Sequence, residues 1–84
     1  MVLWIRRGPD TALRIGVVTS RKVGGAVARN LARRRMRALW RQHRADLRGD
    51  VDVVLVSRAS LPGAPWAAVV DDFLGVIRKA GLHA

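Results

Sequence analysis

Apolar and polar side chains follow a strand-like pattern near the start of the chain. Residues 2–5 form a short apolar run of strand-favouring residues, which ends at two arginines and a Gly-Pro-Asp turn sequence. In residues 12–19, Leu13, Ile15 and Val17 share one face and the residues between them share the other. The pattern predicts two strands joined as a hairpin.

Two longer segments show helical spacing. Residues 26–48 contain neither Gly nor Pro, and Gly49 follows them, so one long helix is predicted there. Pro65 suits the first position of a second helix, because its missing N–H would have no partner at that position. The apolar stripe of this second helix, which we interpret as core packing, consists of Trp66, Val69, Val70, Phe73, Ile77 and Ala80, with Gly81 as the stop.

The segment between the helices is a third predicted strand. Residues 51–57 are almost all β-branched, which is typical of a buried strand in the middle of a sheet. The order is then strand, strand, helix, strand, helix, without a repeat or a low-complexity linker, in a single domain of 84 residues. It predicts an α+β fold, a two-layer sandwich with helices on one face of the sheet.

The charge of the chain indicates what kind of partner it binds. The sequence has a formal net charge of +10, with 14 Arg, 2 Lys, 6 Asp and no Glu. An arginine can give two parallel hydrogen bonds to a phosphate, so the composition favours nucleic acid. Biased codon use could explain the choice of Arg over Lys, but not the net charge.

The absence of Cys excludes disulfides and thiolate metal sites. With short apolar runs and no signal-peptide pattern, we expect a cytoplasmic protein without a membrane segment.

The arginines are concentrated on one side of the first predicted helix. On a helical wheel, the apolar side holds Leu31, Ala32, Met36, Ala38 and Leu39, with Trp40 at its edge. The opposite side collects Asn30, Arg33, Arg34, Arg37, Arg41 and Arg44. Ser20, Arg21 and Lys22 in the preceding loop and Arg29 on the first turn extend the positive charge to the helix N-terminus, where free N–H groups also favour phosphate.

A merely solvated basic face would interleave acids with its bases. Between Arg21 and Arg48 there is one acid, Asp46, against ten basic residues. The pattern therefore predicts a helix that binds nucleic acid. Arg35 does not fit, because it lies among the apolar positions; either its side chain extends past the core edge or the helix is rotated from this assignment.

No catalytic constellation stands out. His43 and His83 have no metal-ligand spacing around them, and Asp71 and Asp72 point about 100° apart on a helix. Gly24 and Gly25 are not followed by the Gly-Lys-Ser or Gly-Lys-Thr of a phosphate loop. We expect a polypeptide that is non-catalytic by itself and binds no metal or cofactor of its own.

The loop and the helix together resemble a known family. Residues 20–30 read Ser-Arg-Lys-Val-Gly-Gly-Ala-Val-Ala-Arg-Asn, and Arg33, Arg34 and Arg37 follow. This resembles the protein subunit of bacterial ribonuclease P, in which a Lys-(Val/Ile)-Gly-Asn-Ala-Val segment leads into an Arg-Asn-Arg helix and a further basic pair. Residues 52–58 and 78–82 are similar to the family's last strand and helix. Gly25 and Leu31 depart from it, at the places of the Asn and of the second Arg.

The resemblance implies both a fold and a role. The fold would be the ribonuclease P protein fold, a small mixed sheet covered by helices with a left-handed βαβ crossover, against the usual right-handed rule. Family members begin with a helix and a strand that help to wall the cleft for the 5′ leader of precursor tRNA, and the chain lacks both. The partners would be ribonuclease P RNA, which cleaves with Mg²⁺, and precursor tRNA. The implied RNA contacts are Ser20, Arg21, Lys22, Arg29, Asn30, Arg33, Arg34, Arg37 and Arg41.

Two other function classes remain open. One is a general RNA-binding module of the ribosomal-protein type without a role in tRNA processing; the loop-to-helix spacing favours the ribonuclease P subunit over it. The other is a basic helix that lies on a membrane or in a partner's groove, which requires an apolar side that is not used to cover a sheet. Trp4 offers a stacking surface for a base, or else has a core or sheet-edge role.

Overall fold

The computed structural model describes residues 1–82 and contains three strands and two helices. The strands are β1 (Val2–Arg7), β2 (Ile15–Val18) and β3 (Val51–Val56), and the helices are α1 (Ala26–His43) and α2 (Trp66–Lys79). Short 3₁₀ turns lie at Arg21–Val23, Arg44–Asp46 and Leu61–Gly63. The α+β class and the order of the elements are confirmed.

The sheet is mixed, with β3 in the centre. β3 pairs antiparallel with β1 and parallel with β2, in the order β1-β3-β2. The central place of the β-branched strand is therefore confirmed, but the predicted hairpin is wrong, because β1 and β2 are not neighbours. The chain from β2 through α1 to β3 joins two parallel strands. The left-handed sense of that connection stays a prediction.

Asp52 of β3 holds the residues just before β2, which begins later than predicted. Its carboxylate accepts hydrogen bonds from the backbone N–H groups of Ala12 and Arg14, each at 3.1 Å, and from Arg14 Nη2 at 2.8 Å. Leu13, between them, has a φ of 55°, so residues 12–14 turn across the end of β3 and do not extend β2. The Arg14 guanidinium and the Ala12 N–H hold the pKa of the Asp52 carboxyl well below its ordinary value.

One face of the sheet carries the core. The register aligns Leu3 with Leu55 and Ile5 with Val53 on that face, and β2 adds Ile15 beside Val53. From the helices, the buried core includes Ala32, Met36, Leu39, Trp40, Val69, Phe73 and Ile77. The predicted apolar sides of both helices therefore cover the same face of the sheet, as expected for a two-layer sandwich.

Both helices differ from prediction at one end. α1 ends at His43 and not at residue 48, because the chain leaves the helix to bury Leu47, which is 1% exposed and has an extended backbone. The Arg48 N–H then donates to the Leu82 carbonyl at 2.7 Å. In α2, Pro65 caps the helix from an extended conformation and does not open its first turn, and Trp66 is 37% exposed and so lies at the margin of the core.

Candidate nucleic-acid interface

The core side of α1 determines which of its side chains face outward. Because Ala32, Met36 and Leu39 are fully buried, the opposite side of the helix is directed away from the sheet. We call the side chains on it the basic stripe: Asn30, Arg33, Arg34, Arg37 and Arg41. Arg33 is half-buried and the other four are exposed. The structure thus brings these predicted residues together on one surface, while their role in RNA binding stays a prediction.

An open depression of about 440 Å³ lies on the basic stripe. It is lined by Asn30, Arg33, Arg34, Arg37 and also Val27, which is 85% exposed. Sequence reasoning gave Val27 no role, although the spacing 27, 30, 34, 37 would have placed it on this side. An apolar side chain between guanidinium groups can contact a ribose or the face of a base. The arginines around it then remain free to bind phosphate.

Arg33 differs from its neighbours because its guanidinium is held by other side chains. Its Nη1 donates to Thr19 Oγ1 at 3.1 Å, and its Nη2 donates to Asn30 Oδ1. The sequence gave no sign of Thr19, which lies 14 positions before Arg33 and just after β2. The contact arises from tertiary structure and not from helical spacing.

The loop before α1 places further cations near the helix N-terminus. Ser20, Arg21 and Lys22 are exposed, and Arg29 on the first turn is half-buried. Val23 anchors this loop in the core, at 8% exposure. The first N–H groups of a helix lack intrahelical acceptors, so an anion here would meet both donors and positive charge. The surface extends from the loop along the stripe.

Arg44 was predicted on the same stripe, and the structure corrects this. α1 ends at His43, and Arg44 begins the 3₁₀ turn that follows. Its side chain is exposed, but the helical wheel does not describe its direction. Arg44 therefore lies at the end of the basic stripe and not on it.

Arg35, which did not fit the wheel, binds the loop before α2. Its Nη1 donates to the carbonyl oxygens of Leu61 at 3.0 Å and Ala64 at 2.7 Å. The guanidinium carbon also lies 5.8 Å from the centre of the Trp66 ring, within cation–π range. The helix is therefore not rotated, and the side chain of Arg35 extends past the core edge to connect α1 with α2.

His43 and the aspartates of residues 1–82 give no sign of a second site. His43 Nδ1 lies 2.9 Å from the Leu39 carbonyl, and its ring centre is 5.4 Å from that of Phe73, so His43 packs between the helices. His83 lies outside the described residues. Within residues 1–82, no group of three His or Asp side chains could hold a metal ion, and no helix is long and apolar enough to cross a membrane.

Comparison with known proteins gives the family. The model of the family described as Ribonuclease P matches residues 1–81. The chain belongs to this family. A ribonuclease P protein component from Gluconacetobacter diazotrophicus is 43% identical over 92% of the chain and 67% of its own length. One from Syntrophomonas wolfei is 35% identical over 84% of the chain and 60% of its own length. The chain thus spans about three fifths to two thirds of these relatives.

Solved structures of ribonuclease P proteins have the same fold. The protein from Staphylococcus aureus superposes with a TM-score of 0.82 at 19% identity, covering 98% of this chain and 75% of its own. The protein from Thermotoga maritima gives a TM-score of 0.78 at 23% identity, with 92% and 74% covered. At these identities the likeness concerns the fold alone, and it confirms the predicted fold.

The two departures from the ribonuclease P pattern lie in different surroundings. Gly25 caps α1 with an extended backbone and is exposed, and a Cβ added there would meet no atom within 4 Å. A larger polar residue would therefore fit at Gly25. Leu31 is half-buried, between the exposed Asn30 and the fully buried Ala32. Trp4 is 64% exposed on the edge strand β1, so it has no core role.

Proposed function

We propose that the chain is the protein subunit of a bacterial ribonuclease P, which binds the catalytic RNA and assists removal of the 5′ leader from precursor tRNA. The observation that carries the proposal is the basic stripe on α1. The apolar side of this helix is used in covering the sheet, and no acid occurs anywhere in it. The stripe thus carries four guanidinium groups along one side of a helix, in a chain of the Ribonuclease P family.

The proposed binding follows from charge and spacing. Arg34, Arg37 and Arg41 are three and four positions apart, so they rise about 4.5 to 6 Å from one to the next along the helix, which is comparable to the distance between neighbouring phosphates of an RNA strand. Each phosphate that an arginine neutralises releases counterions, which makes binding depend steeply on salt. With the loop cations included, the proposed contacts are Ser20, Arg21, Lys22, Arg29, Asn30, Arg33, Arg34, Arg37 and Arg41, with Arg44 at the end of the stripe.

We assign catalysis to the RNA partner, with Mg²⁺ bound by that RNA, and an accessory role to the protein in the bacterial cytoplasm. The protein's contribution would be to reduce repulsion between the catalytic RNA and precursor tRNA, and so to lower the Mg²⁺ concentration that cleavage requires. Trp4 stands between Val2 and Arg6 on the sheet face opposite the helices. We assign to that face a stacking contact with a base of the single-stranded leader.

The test is cleavage of precursor tRNA by a bacterial ribonuclease P RNA at low Mg²⁺, with and without this protein. A charge-matched control is the variant Arg37→Gln, Arg41→Gln, Asp50→Asn, Asp71→Asn, which loses two positive and two negative charges and so keeps the formal net charge of +10. All four side chains are exposed, so the fold should be retained. We expect stimulation by the protein and much weaker stimulation by the control.

Two other outcomes would contradict the proposal in different ways. Equal stimulation by protein and control would show that net charge acts without the stripe. Tight, salt-sensitive RNA binding without any stimulation would instead support a general RNA-binding module of the ribosomal type.

A further inference from the structure

Arg33 is the member of the basic stripe that other side chains hold in place. Thr19 Oγ1 accepts from its Nη1 at 3.1 Å, and Asn30 Oδ1 accepts from its Nη2. A guanidinium has five N–H donors, so these two contacts leave three for an outside acceptor. Within residues 1–82, the structure shows no hydrogen bond from the side chains of Arg34, Arg37 or Arg41 to the protein, and all three are exposed.

Thr19 connects Arg33 to the sheet. It follows directly after β2, whose four residues pair with the central strand β3. Its side chain is half-buried, as is that of Arg33, so the hydrogen bond is partly shielded from water. A charge-assisted hydrogen bond is stronger than a neutral one, and it restricts the rotamers of a side chain that is otherwise mobile. Arg33 is therefore held between a strand end and its own helix.

We propose that Thr19 is a positioning residue that fixes the Arg33 guanidinium to receive an RNA phosphate. The inference rests on the proposed function. It assigns different roles to Arg33 and to the exposed arginines of the basic stripe. The exposed arginines lose rotamer freedom when they bind, whereas Arg33 has lost it on folding. The remaining N–H donors of Arg33 lie at a fixed place beside the depression that Arg33 lines together with Val27 and Asn30. Arg33 thus sets where a phosphate sits, and its neighbours add charge.

The test compares Thr19→Val with Thr19→Ser in binding to ribonuclease P RNA. Valine keeps the shape and β-branching of threonine but removes the hydroxyl, whereas serine keeps the hydroxyl. We expect Thr19→Val to weaken binding about three- to tenfold at fixed salt, the cost of one side chain that must now be ordered on binding. The slope of log K against log salt should not change, because Arg33 still neutralises its phosphate. Thr19→Ser should stay within about twofold of the original protein.

Arg33→Ala supplies the background that separates positioning from a structural role. It should lower the salt slope by about one unit, because one phosphate contact is lost. In this background, Thr19→Val should have no further effect on RNA binding. If Thr19 only stabilises the fold, Thr19→Val will lower the urea midpoint and weaken binding equally in both backgrounds, and the proposal is overturned.

The experiment also separates this inference from the proposed function. If the original protein binds RNA with a steep salt slope and Arg33→Ala lowers that slope, the stripe is established. An unchanged affinity of Thr19→Val then overturns the positioning role alone. If the original protein binds without a salt slope, both the stripe and the positioning role are overturned.

Discussion

The two helices cover the same face of one sheet, but their outward sides carry charge in different ways. α1 contains six arginines and no acid, whereas the two aspartates of α2 balance its Arg78 and Lys79. In α2 both cations lie in the last turn, where the helix dipole favours positive charge. In α1 the positive charge begins at Arg29, near the end that the dipole disfavours. The cations of α2 therefore stabilise their helix, whereas the arginines of the basic stripe on α1 repel one another.

The inward sides of the helices show no such contrast. α1 buries Ala32, Met36, Leu39 and Trp40, and α2 buries Val69, Phe73 and Ile77, all in one core. Packing therefore requires both helices equally, and the arginines of α1 need another explanation. A bound polyanion provides one, because it turns the repulsion between neighbouring arginines into attraction for the partner. Substitutions on either helix test this difference.

The largest expected effect comes from the core side of α2. Phe73 is 0% exposed, so Phe73→Ala should lower the free energy of unfolding by about 3 to 5 kcal/mol. This is a large share of the roughly 4 to 13 kcal/mol expected for a domain of this size. Urea denaturation followed by circular dichroism measures the loss.

Asp71→Ala, on the exposed side of the same helix, is the control and should change stability by less than about 0.5 kcal/mol. RNA that binds only the folded state should shift the Phe73→Ala variant back toward folded protein. An equal loss of unfolding free energy in the two variants would show that the buried side chains of α2 do not hold this helix in the core.

The next effect is on RNA binding and comes from the outward side of α1. Arg37→Gln with Arg41→Gln should lower the salt slope by about two units and weaken binding roughly 20- to 60-fold near 0.1 M salt. The free energy of unfolding should change by less than about 0.5 kcal/mol. Removing the like-charge pairs among Arg33, Arg37 and Arg41 stabilises the helix, but Arg41 lies in the last turn, where the helix dipole favours a cation. Filter binding across a salt series and urea denaturation measure the two quantities.

The matched control removes two cations from α2. Arg78→Gln with Lys79→Gln produces the same change in net charge, from +10 to +8. It should leave the salt slope within about half a unit, and it should lower the free energy of unfolding by about 0.3 to 1 kcal/mol for each cation removed, because both lie at the negative end of the helix dipole. If the salt slope of RNA binding fell equally in the two double variants, the conclusion that α1 binds RNA and α2 does not would be wrong.

Much of this arrangement could be predicted from the sequence. The 3.6-residue spacing placed Met36 and Phe73 in the core and Arg34 and Arg37 on the outer side, because helical periodicity is a local property. Strand pairing is not local. The alternation in β1 did not show that its partner is β3, and nothing near Asp52 in the sequence indicated that it holds residues 12–14.

Contacts between distant side chains were also beyond prediction. The bond from Arg33 to Thr19 and those from Arg35 to the carbonyls of Leu61 and Ala64 depend on how separate elements pack. The end of α1 belongs to the same class, since burial of Leu47 takes the chain out of the helix. The family resemblance supplied the fold, but not these contacts.

Arg35 lies in α1 but, unlike the basic stripe, it stabilises the fold. Arg35→Met keeps most of the side chain's length but removes the donors to the carbonyls of Leu61 and Ala64. Stability should fall by about 1 to 2 kcal/mol, because two acceptors lose a charged partner. The salt slope of RNA binding should change little.

Arg34→Met is the control at the neighbouring position, where the side chain is exposed on the basic stripe. It should lower the salt slope by about one unit and leave stability within about 0.5 kcal/mol. If the two variants exchanged these effects, the assignment of Arg35 to the fold and of Arg34 to the RNA would be wrong.

The smallest expected effect concerns Gly75, in the middle of α2. It is half-buried, and a Cβ added there would meet no atom within 4 Å. Gly75→Ala should therefore raise the free energy of unfolding by about 0.5 to 1 kcal/mol, because alanine loses less backbone entropy in a helix than glycine. RNA affinity and salt slope should not change. Gly49→Ala should instead lower the free energy of unfolding, since Gly49 has a φ of 148° and its added Cβ would lie 2.7 Å from Leu82 Cδ2. A gain in RNA affinity from Gly75→Ala would show that α2 contributes to binding as well as to the core.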